Sequence, residues 1–507
     1  GIGTSSPGEK LTVSGNISAN GAVTAETVNV SSTTNGFISA GRDLADIFAT
    51  DSGNVDGSGT ACYLPVWSDS NTLGSSIACE SSSLLTVGGA LSARNFCASD
   101  SYDNQIWGKN ALANNTTGSC NTAIGCTALC KNTTGKLNFA TGEASLYNNI
   151  SGDYNFAAGQ NAMGYSYGGC HNTAIGQKAL HKNTTGTYNT AIGQQALACN
   201  TTGLHNIGIG YTALAANTTG SQNYAIGYLA MASASGNYNT AIGTQALQTN
   251  TGVNNNAIGS GAMETNTTGG YNIALGGSAL GKNTTGGYNA ALGYAAVRCN
   301  VVGKWNIGIG ACALYCSTSA CHNTALGHQA LYKNTTGACN IGIGQCALYT
   351  SLSGNYNFAA GKCALYSNYG GVDNTAIGRV TLCKNTTGNY NTAVGPEALC
   401  SNTTGSFNTA VGYQALLANT TGAYNVAVGR WTLRSNTTGG CNVVMGNQSL
   451  LNNTTGGNNV VLGYNTLSIN VTGSDNTAIG CGALYTSNAC KNHAIGNGAL
   501  YYNTTGH

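Results

Sequence analysis

The fold class this sequence predicts is an all-β fibre, a parallel β-solenoid or β-roll, and three observations predict it. From Asn104 onward the chain repeats a unit of seventeen residues, N-x-A-I-G-x-x-A-L-x-x-N-T-T-G-x-x, as in NTAIGQKALHKNTTGTY from Asn172. The unit starts 24 times, always on asparagine, from Asn104 to Asn492, with 20 steps of seventeen residues and 3 of sixteen. The glycine at position 5 and the Asn-Thr-Thr-Gly turn at positions 12 to 15 leave only short pieces between corners, where a helix needs roughly eight or more residues. A period this short and strict is the mark of stacked rungs, each too small to bury a core alone.

Each unit carries two apolar segments, positions 2 to 4 and 8 to 10, which read as short strands. The expected rung hides the branched residue at position 4 and the leucine at position 9 against its neighbours, beside a small residue at position 3 such as Ala123, Ala174 or Gly208. Stacking at about 4.8 Å per rung makes a rod of roughly 115 Å. The asparagines at positions 1 and 12 are expected to face corners or form ladders of stacked amides. The sixteen-residue steps, from Asn223, Asn239 and Asn476, are expected to lose their residue in a corner, because a deletion in a strand turns its side chains over.

Residues 1–103 lack this period and read as a small N-terminal β-rich attachment or collar module, with residues 104–507 as the repeat shaft. The opening LTVSGNISAN is restated by Leu84–Asn95, LLTVGGALSARN, so the module contains a duplication. Gly36–Thr50 has the one mildly helical pattern, with Leu44, Ile47 and Phe48 on one side. The absence of an initiator Met suggests a processed chain or a part of a longer one.

Composition narrows the function classes. Only 7% of residues are charged, 18 Lys plus Arg against 16 Asp plus Glu, which leaves no basic field for nucleic acid. No apolar run approaches the roughly 18 residues of a membrane span, so membrane insertion is not expected. G-x-S-x-G, P-loop, H-E-x-x-H and dinucleotide motifs are missing, and Glu143, Asp153, Glu264, Asp373, Glu397 and Asp475 fall in separate units. The reading is therefore non-enzymatic, with no catalytic, cofactor or metal residues assigned.

Register turns scattered residues into columns. Cys346 and Cys363 share position 7 of successive units and Cys383 and Cys400 share position 10, which fits either disulfides stapling an extracellular rod or free thiols; no C-x-x-C zinc spacing occurs. Tyr315, Tyr332, Tyr349 and Tyr366 share position 10 with Tyr147, Tyr485 and Tyr501, while Tyr188, Tyr238, Tyr271, Tyr288, Tyr390 and Tyr424 close their units. These rings are read as stacking on one another, with sugar platforms as the functional alternative. Lys131, Lys182, Lys282, Lys333 and Lys384 recur at position 11 as solubilising charges. Asn115, Asn132, Asn183, Asn200, Asn217 and Asn266 open N-glycosylation sequons that are also corners.

GIGTSSPGEKLTV, GSGTACYLPVWSDSNTLGSS and LTVGGALSA resemble phrases of tail-fibre and other fibre proteins of bacteriophages and large viruses. The N-T-A-I-G-x-x-A-L units resemble their fibre repeats and, more distantly, the head repeats of trimeric autotransporter adhesins. The unit here is longer than the adhesin-head repeat of about fourteen residues, and no coiled-coil stalk, anchor or C-terminal self-cleaving chaperone domain is visible. The resemblance implies a virion-borne or extracellular homotrimer, joined at its ends to other fibre or particle proteins and reaching a cell-surface glycan or protein receptor. Small residues at positions 3 and 8 are expected to pack against another chain. Irregular corners at Ser233–Gly236, Ser317–His322, Asn368–Asp373 and Ser487–Lys491 are candidate receptor contacts, tolerated corner variants being the alternative. Two other readings stand beside this one: a self-polymerising cell-surface filament, and an ice- or surface-binding solenoid using the threonines at positions 13 and 14.

Overall fold

In the computed structural model, residues 102–504 are described continuously, and eight short strands are described before them. The chain divides into two units between Phe96 and Cys97. In the first, β1 (Ile38–Ser39) and β2 (Arg42–Asp43) pair antiparallel. This part of the Gly36–Thr50 stretch is thus a hairpin and not the helical turn its pattern suggested; Leu44, Ile47 and Phe48 lie outside the described residues. The strands β3 (Cys62–Tyr63), β6 (Ala78–Ser81) and β7 (Leu84–Val87) form an antiparallel sheet, and β4 (Val66–Trp67) pairs with β5 (Leu73–Gly74). The opening LTVSGNISAN lies outside the described residues.

The second unit is a parallel β-solenoid of seventeen-residue rungs. A three-residue strand opens every rung, from β9 (Gln105–Trp107) to β32 (His493–Ile495), and each pairs in register with the strands of the rungs on either side. β8 (Ala98–Ser99) adds antiparallel to β9 at the start.

One strand per rung is a correction to the two expected. Positions 6 to 11 form a turn instead, because two residues in it take left-handed backbone angles: Thr127 (φ 55°) at position 7 and Leu129 (φ 50°) at position 9 typify them. A third left-handed residue closes the rung at position 17, Leu137 (φ 56°) in this unit and Tyr188 (φ 58°) in another. Each such residue costs about 1–2 kcal/mol when it is not glycine. The cost is offset by hydrogen bonds between rungs that alternate in direction: Thr127 N–H donates back to Lys109 O (2.8 Å), Leu129 N–H forward to Ser145 O (2.9 Å), and Leu137 N–H back to Ser119 O (3.0 Å). The fold is therefore available only to a stack.

Strand alternation sets the core, and here too the expectation is corrected. The middle residue of the strand, position 3, is buried in the rung; Ala123, Ala174 and Ala225 are fully covered, as are Ala and Leu at positions 8 and 9, such as Ala179 and Leu180. Positions 2 and 4 turn outward, so the branched residue at position 4 lies on the surface: Ile226, Ile258, Met445 and Leu462 are 40–46% exposed. The reason is space. A Cβ built on Gly208, at position 3, would already lie 3.1 Å from Ala213 O and 3.3 Å from Leu197 Cγ. The rung interior takes a small residue there, mostly alanine and valine at Val444 and Val461, and the larger residue of the strand goes outside.

Both asparagine columns form ladders, as expected. At position 1, Asn121 Oδ1 accepts the backbone N–H and the Nδ2 of Asn138 (both 3.0 Å), while Asn138 Nδ2 also donates to Gly152 O (2.8 Å). At position 12, Asn200 Nδ2 donates to Asn183 Oδ1 (2.8 Å) and to Gly203 O (3.1 Å). Buried amides with every donor used are stabilising, whereas one left unmade costs about 1–3 kcal/mol. The sixteen-residue steps leave the strands in register, Tyr224 against Thr240 and Thr477 against His493, so their missing residue is taken from the corner.

The position-12 ladder breaks where serine replaces asparagine. Ser166, Ser317 and Ser351 are buried with unpaired hydroxyls, and the amide oxygens facing the breaks, Asn149, Asn300 and Asn334 Oδ1, are unpaired as well. Restoring asparagine at Ser317 and Ser351 joins the column across both gaps. The S317N/S351N double variant is expected to gain about 1 kcal/mol per repaired rung, read as a higher urea midpoint; an unchanged or lower midpoint would contradict the ladder's role.

Candidate functional site

Outside the core the rod presents columns, and four of them have chemical character. The first is the outward face of the sheet. No Asp, Glu, Lys or Arg occupies position 2 or 4 in any of the 24 rungs, and position 4 is Ile, Val, Leu or Met in most of them. A strip about 115 Å long and about 10 Å wide, three residues of strand, is about 1,150 Å², and position 2 is polar in twelve of its 24 rungs, so its apolar part runs mainly along position 4. Patches on monomers rarely exceed a few hundred square ångströms. The small residues at positions 3 and 8, expected to meet another chain, are instead sealed inside the rung.

The aromatic columns stack ring upon ring. Tyr315, Tyr332, Tyr349 and Tyr366 lie 5.1, 5.1 and 4.9 Å apart with interplanar angles of 13° or less. At position 17, Tyr154, His171, Tyr188 and His205 alternate at 4.8–4.9 Å, and Tyr390, Phe407 and Tyr424 follow the same geometry. Tyr271 and Tyr288 stack at 4.9 Å, and Tyr485 on Tyr501 at 4.8 Å. Tyr238 has Gln222 and Asn254 as its column neighbours and belongs to none of these stacks. Within a stack the ring faces cover one another, so the columns present edges and hydroxyls and not flat sugar platforms. Two position-11 lysines do more than solubilise: Lys131 Nζ sits 5.1 Å from the Tyr147 centroid and Lys333 Nζ 5.8 Å from that of Tyr349, within cation–π reach.

The corner columns are spent on architecture. Asn132, Asn183, Asn200, Asn217 and Asn266 are fully buried, and Asn115, in the first rung, is partly buried. Asn132 Nδ2, the atom a glycan would take, donates to Asn115 Oδ1 (2.9 Å) and Gly135 O (3.0 Å), so both its hydrogens are committed. The paired threonines do different jobs: Thr184 Oγ1 at position 13 donates to Thr201 O (2.9 Å), whereas Thr185 at position 14 is exposed. One column of free threonines remains, not the paired array an ice surface would need.

The corners at Ser317–His322 and Asn368–Asp373 keep the regular backbone, whereas those at Ser233–Gly236 and Ser487–Lys491 are one residue shorter. Ser317 is buried and Thr318 exposed, as in Asn-Thr-Thr-Gly, and Val301 N–H still donates to Thr318 O (2.9 Å). Ser233–Gly236, Asn368–Asp373 and Ser487–Lys491 likewise bury position 12 and expose the residue after it.

A concave feature among the described residues lies elsewhere, and the repeat reading did not single it out. A shallow cleft of about 420 Å³ is lined by Lys131, Tyr147, Asn148, Asn161, Tyr165 and Tyr167. It opens because Gly164 stands at position 10, where neighbouring rungs carry a side chain. The His181 ring fills part of the gap, its Nδ1 2.9 Å from Asn161 O, and packs edge-on to Tyr165 at 4.9 Å. Ser166–Gly169, SYGG in place of Asn-Thr-Thr-Gly, was the legible signal. Aromatic edges, amides and an ammonium around a shallow cleft suit a polyhydroxylated ligand.

Carboxylates are tied into surface networks. Glu397 accepts from Gln414 Nε2 (2.7 Å) and from Arg379 (2.6 Å); the Gln414 hydrogen bond first, then the Arg379 guanidinium, hold its carboxyl below the usual range. Among the described residues no three His, Cys, Asp or Glu gather as metal ligands, and no helix is long and apolar enough to cross a membrane. Sixteen of the described cysteines, Cys299, Cys316, Cys346, Cys363, Cys383 and Cys400 among them, are free thiols. The architecture is that of a fibrous repeat protein. Comparison with family models, with curated proteins and with solved structures found no match to any of them.

Proposed function

We propose that this chain is a non-enzymatic structural and adhesive fibre subunit that assembles as a homotrimer through the outward face of its sheet. The observation that carries the reading is a strip free of Asp, Glu, Lys and Arg at positions 2 and 4 of all 24 rungs, apolar at position 4 in most of them and uncharged Thr, Gln, Asn or His at position 2 in half. At about 1,150 Å² in all, the strip exceeds the roughly 800 Å² per partner of a stable interface. An occupant must match both the rung spacing and the length, and a second copy of the same chain does. Closed three-fold symmetry covers the strip on every copy and leaves no lateral surface for further growth.

The resemblance of the N-terminal phrases and the repeat to viral tail fibres favours a virion-borne, extracellular fibre. On that reading residues 1–103 attach to the particle or to another fibre protein. The cleft around Tyr165 and Tyr167 offers a place for a glycan on the cell surface, with the irregular corners as further contacts. Immunogold labelling of purified virions tests location: label confined to cell-surface filaments without particles would favour the self-polymerising filament instead.

Assembly has a sharper test. In the variant I226D/I258D both carboxylates enter the outward face, so each rod keeps its rungs while the assembly loses its apolar contact. The native mass is expected to fall from three chains of 51.1 kDa to one, with an unchanged far-ultraviolet spectrum. A parent chain that is already monomeric at micromolar concentration, or a variant that remains trimeric, would sink the proposal.

A further inference from the structure

Three pairs of thiols stand one above the other on neighbouring rungs, on the face formed by positions 7, 10 and 11. Cys346 and Cys363 share position 7, Cys383 and Cys400 position 10, and Cys299 and Cys316 position 11, the last pair being one the sequence reading passed over. The rungs that carry them are paired in register. All six thiols are free and partly buried. The tyrosine stack on the same face gives a rung spacing of 4.9–5.1 Å, and the Cys346 and Cys363 thiols lie within hydrogen-bond reach of each other.

That spacing suits a disulfide poorly. A disulfide brings Cβ atoms to about 3.5–4.5 Å, whereas equivalent atoms on in-register strands stay about 4.8 Å apart. Closing the gap would compress a ladder held on both sides, at Leu348 N–H to Ala364 O and Cys363 N–H to Gln345 O (both 2.9 Å) for the first pair. An ion held between two thiolates in a line needs no compression. Two metal–sulfur bonds, each about the 2.3 Å of a zinc–thiolate bond or somewhat shorter in two-coordination, span about 4.3–4.6 Å. Zinc asks for four ligands, and no third His, Cys, Asp or Glu joins any pair among the described residues.

We propose that the pairs Cys299–Cys316, Cys346–Cys363 and Cys383–Cys400 are each a two-coordinate site for a soft monovalent ion of the copper(I) class, bound in line between two thiolates. Thiolate ligands select such ions over harder ones. On binding, two sulfur–metal bonds form, each thiol releases its proton to solvent, and the ion sheds its solution ligands; no electron is transferred. The bis-thiolate complex carries one negative charge, and each pair has a lysine within electrostatic reach: Lys333 for Cys316, Lys362 for Cys346 and Lys384 for both Cys383 and Cys400. Burial, reinforced by the thiol of Cys400, pushes Cys383 up to about 11, and burial also raises Cys400. Both thiols of that pair are protonated near neutrality, so two protons leave per ion and affinity is expected to fall about 100-fold per unit of acidification.

The test titrates the reduced full-length chain with copper(I), under argon and against a competing chelator. One chelator-resistant ion is expected to disappear in each of C299S, C346S and C383S, and X-ray absorption is expected to show two sulfur neighbours per copper. Circular dichroism checks that each variant keeps its rungs, with the alanine variant used where serine does not. No chelator-resistant copper, copper with three sulfurs, equal retention of zinc, or a stoichiometry unmoved by the three variants would each overturn the assignment. So would loss of the six thiols to disulfides on mild oxidation with the rungs intact.

Discussion

Replacing Asn408 by leucine is expected to destabilise the rungs around it by about 3–5 kcal/mol, although the two side chains are similar in size. The Asn408 side chain makes four hydrogen bonds, all buried. Its Nδ2 donates to Asn391 Oδ1 (3.1 Å) and Gly422 O (2.9 Å), and its Oδ1 accepts from the backbone N–H (3.0 Å) and the Nδ2 (3.1 Å) of Asn425. Leucine removes all four and orphans two donors on the next rung. Hydrogen exchange across residues 391–425 should report the loss locally, since rungs contact only their neighbours. Aspartate at the same position adds a pH dependence. Its carboxylate has no hydrogen to donate to Asn391 Oδ1 or Gly422 O, and burial raises its folded pKa above the unfolded value of about 3.9. The variant therefore keeps what stability it has below about pH 4 and loses it as pH rises through the folded pKa. Protection equal to the parent at pH 7 in either variant would remove the ladder as a main source of stability.

Adjacent glycines supply the second large effect by contrast. Gly276→Ala is expected to cost more than about 3 kcal/mol, whereas Gly277→Ala is expected to change stability by less than about 0.5 kcal/mol. Gly276, at position 5, has φ +136°, and a Cβ there would sit 2.5 Å from Gly293 O and 2.6 Å from Gly293 C, both backbone. Neither the angle nor the contact can relax without moving the next rung. At Gly277 the nearest atom to a Cβ is Tyr294 Cδ2 at 3.6 Å, an ordinary contact. Paired urea denaturation curves decide the matter, and equal midpoints for the two variants would mean that position 5 tolerates side chains.

What could be read in advance was whatever repeats with the chain. The seventeen-residue register alone places Asn121 over Asn104 and Tyr332 over Tyr315, so the ladders and the ring stacks were legible before any coordinate. Breaks in the pattern were legible for the same reason, as at Ser317 and Ser351. The cleft at Tyr165 and the Cys299–Cys316 pair could have been found by the same register, through Gly164 at position 10 and two cysteines at position 11. They were missed because each depends on comparing columns and not on reading a motif.

The sequence by itself determined the period, the stacking in register, the corners and the columns, because a one-dimensional repeat leaves each rung nothing to contact but its neighbours. Only the tertiary structure decided which side of the strand faces in. In a three-residue strand such as Thr-Ala-Ile, hydrophobicity argues for burying the isoleucine, yet the inward position holds alanine, or valine as in Val444 and Val461, and the larger residue faces out. The turn from positions 6 to 11 draws Leu129 and its equivalents into the space the branched residue would have taken, and it does so through left-handed angles at Thr127 and Leu129 that neither residue type announces. Those angles are unfavourable for a single rung and become stable when hydrogen bonds to the rungs on both sides hold them. The apolar strip on the outside is the consequence, because the side chains excluded from the core are the larger ones.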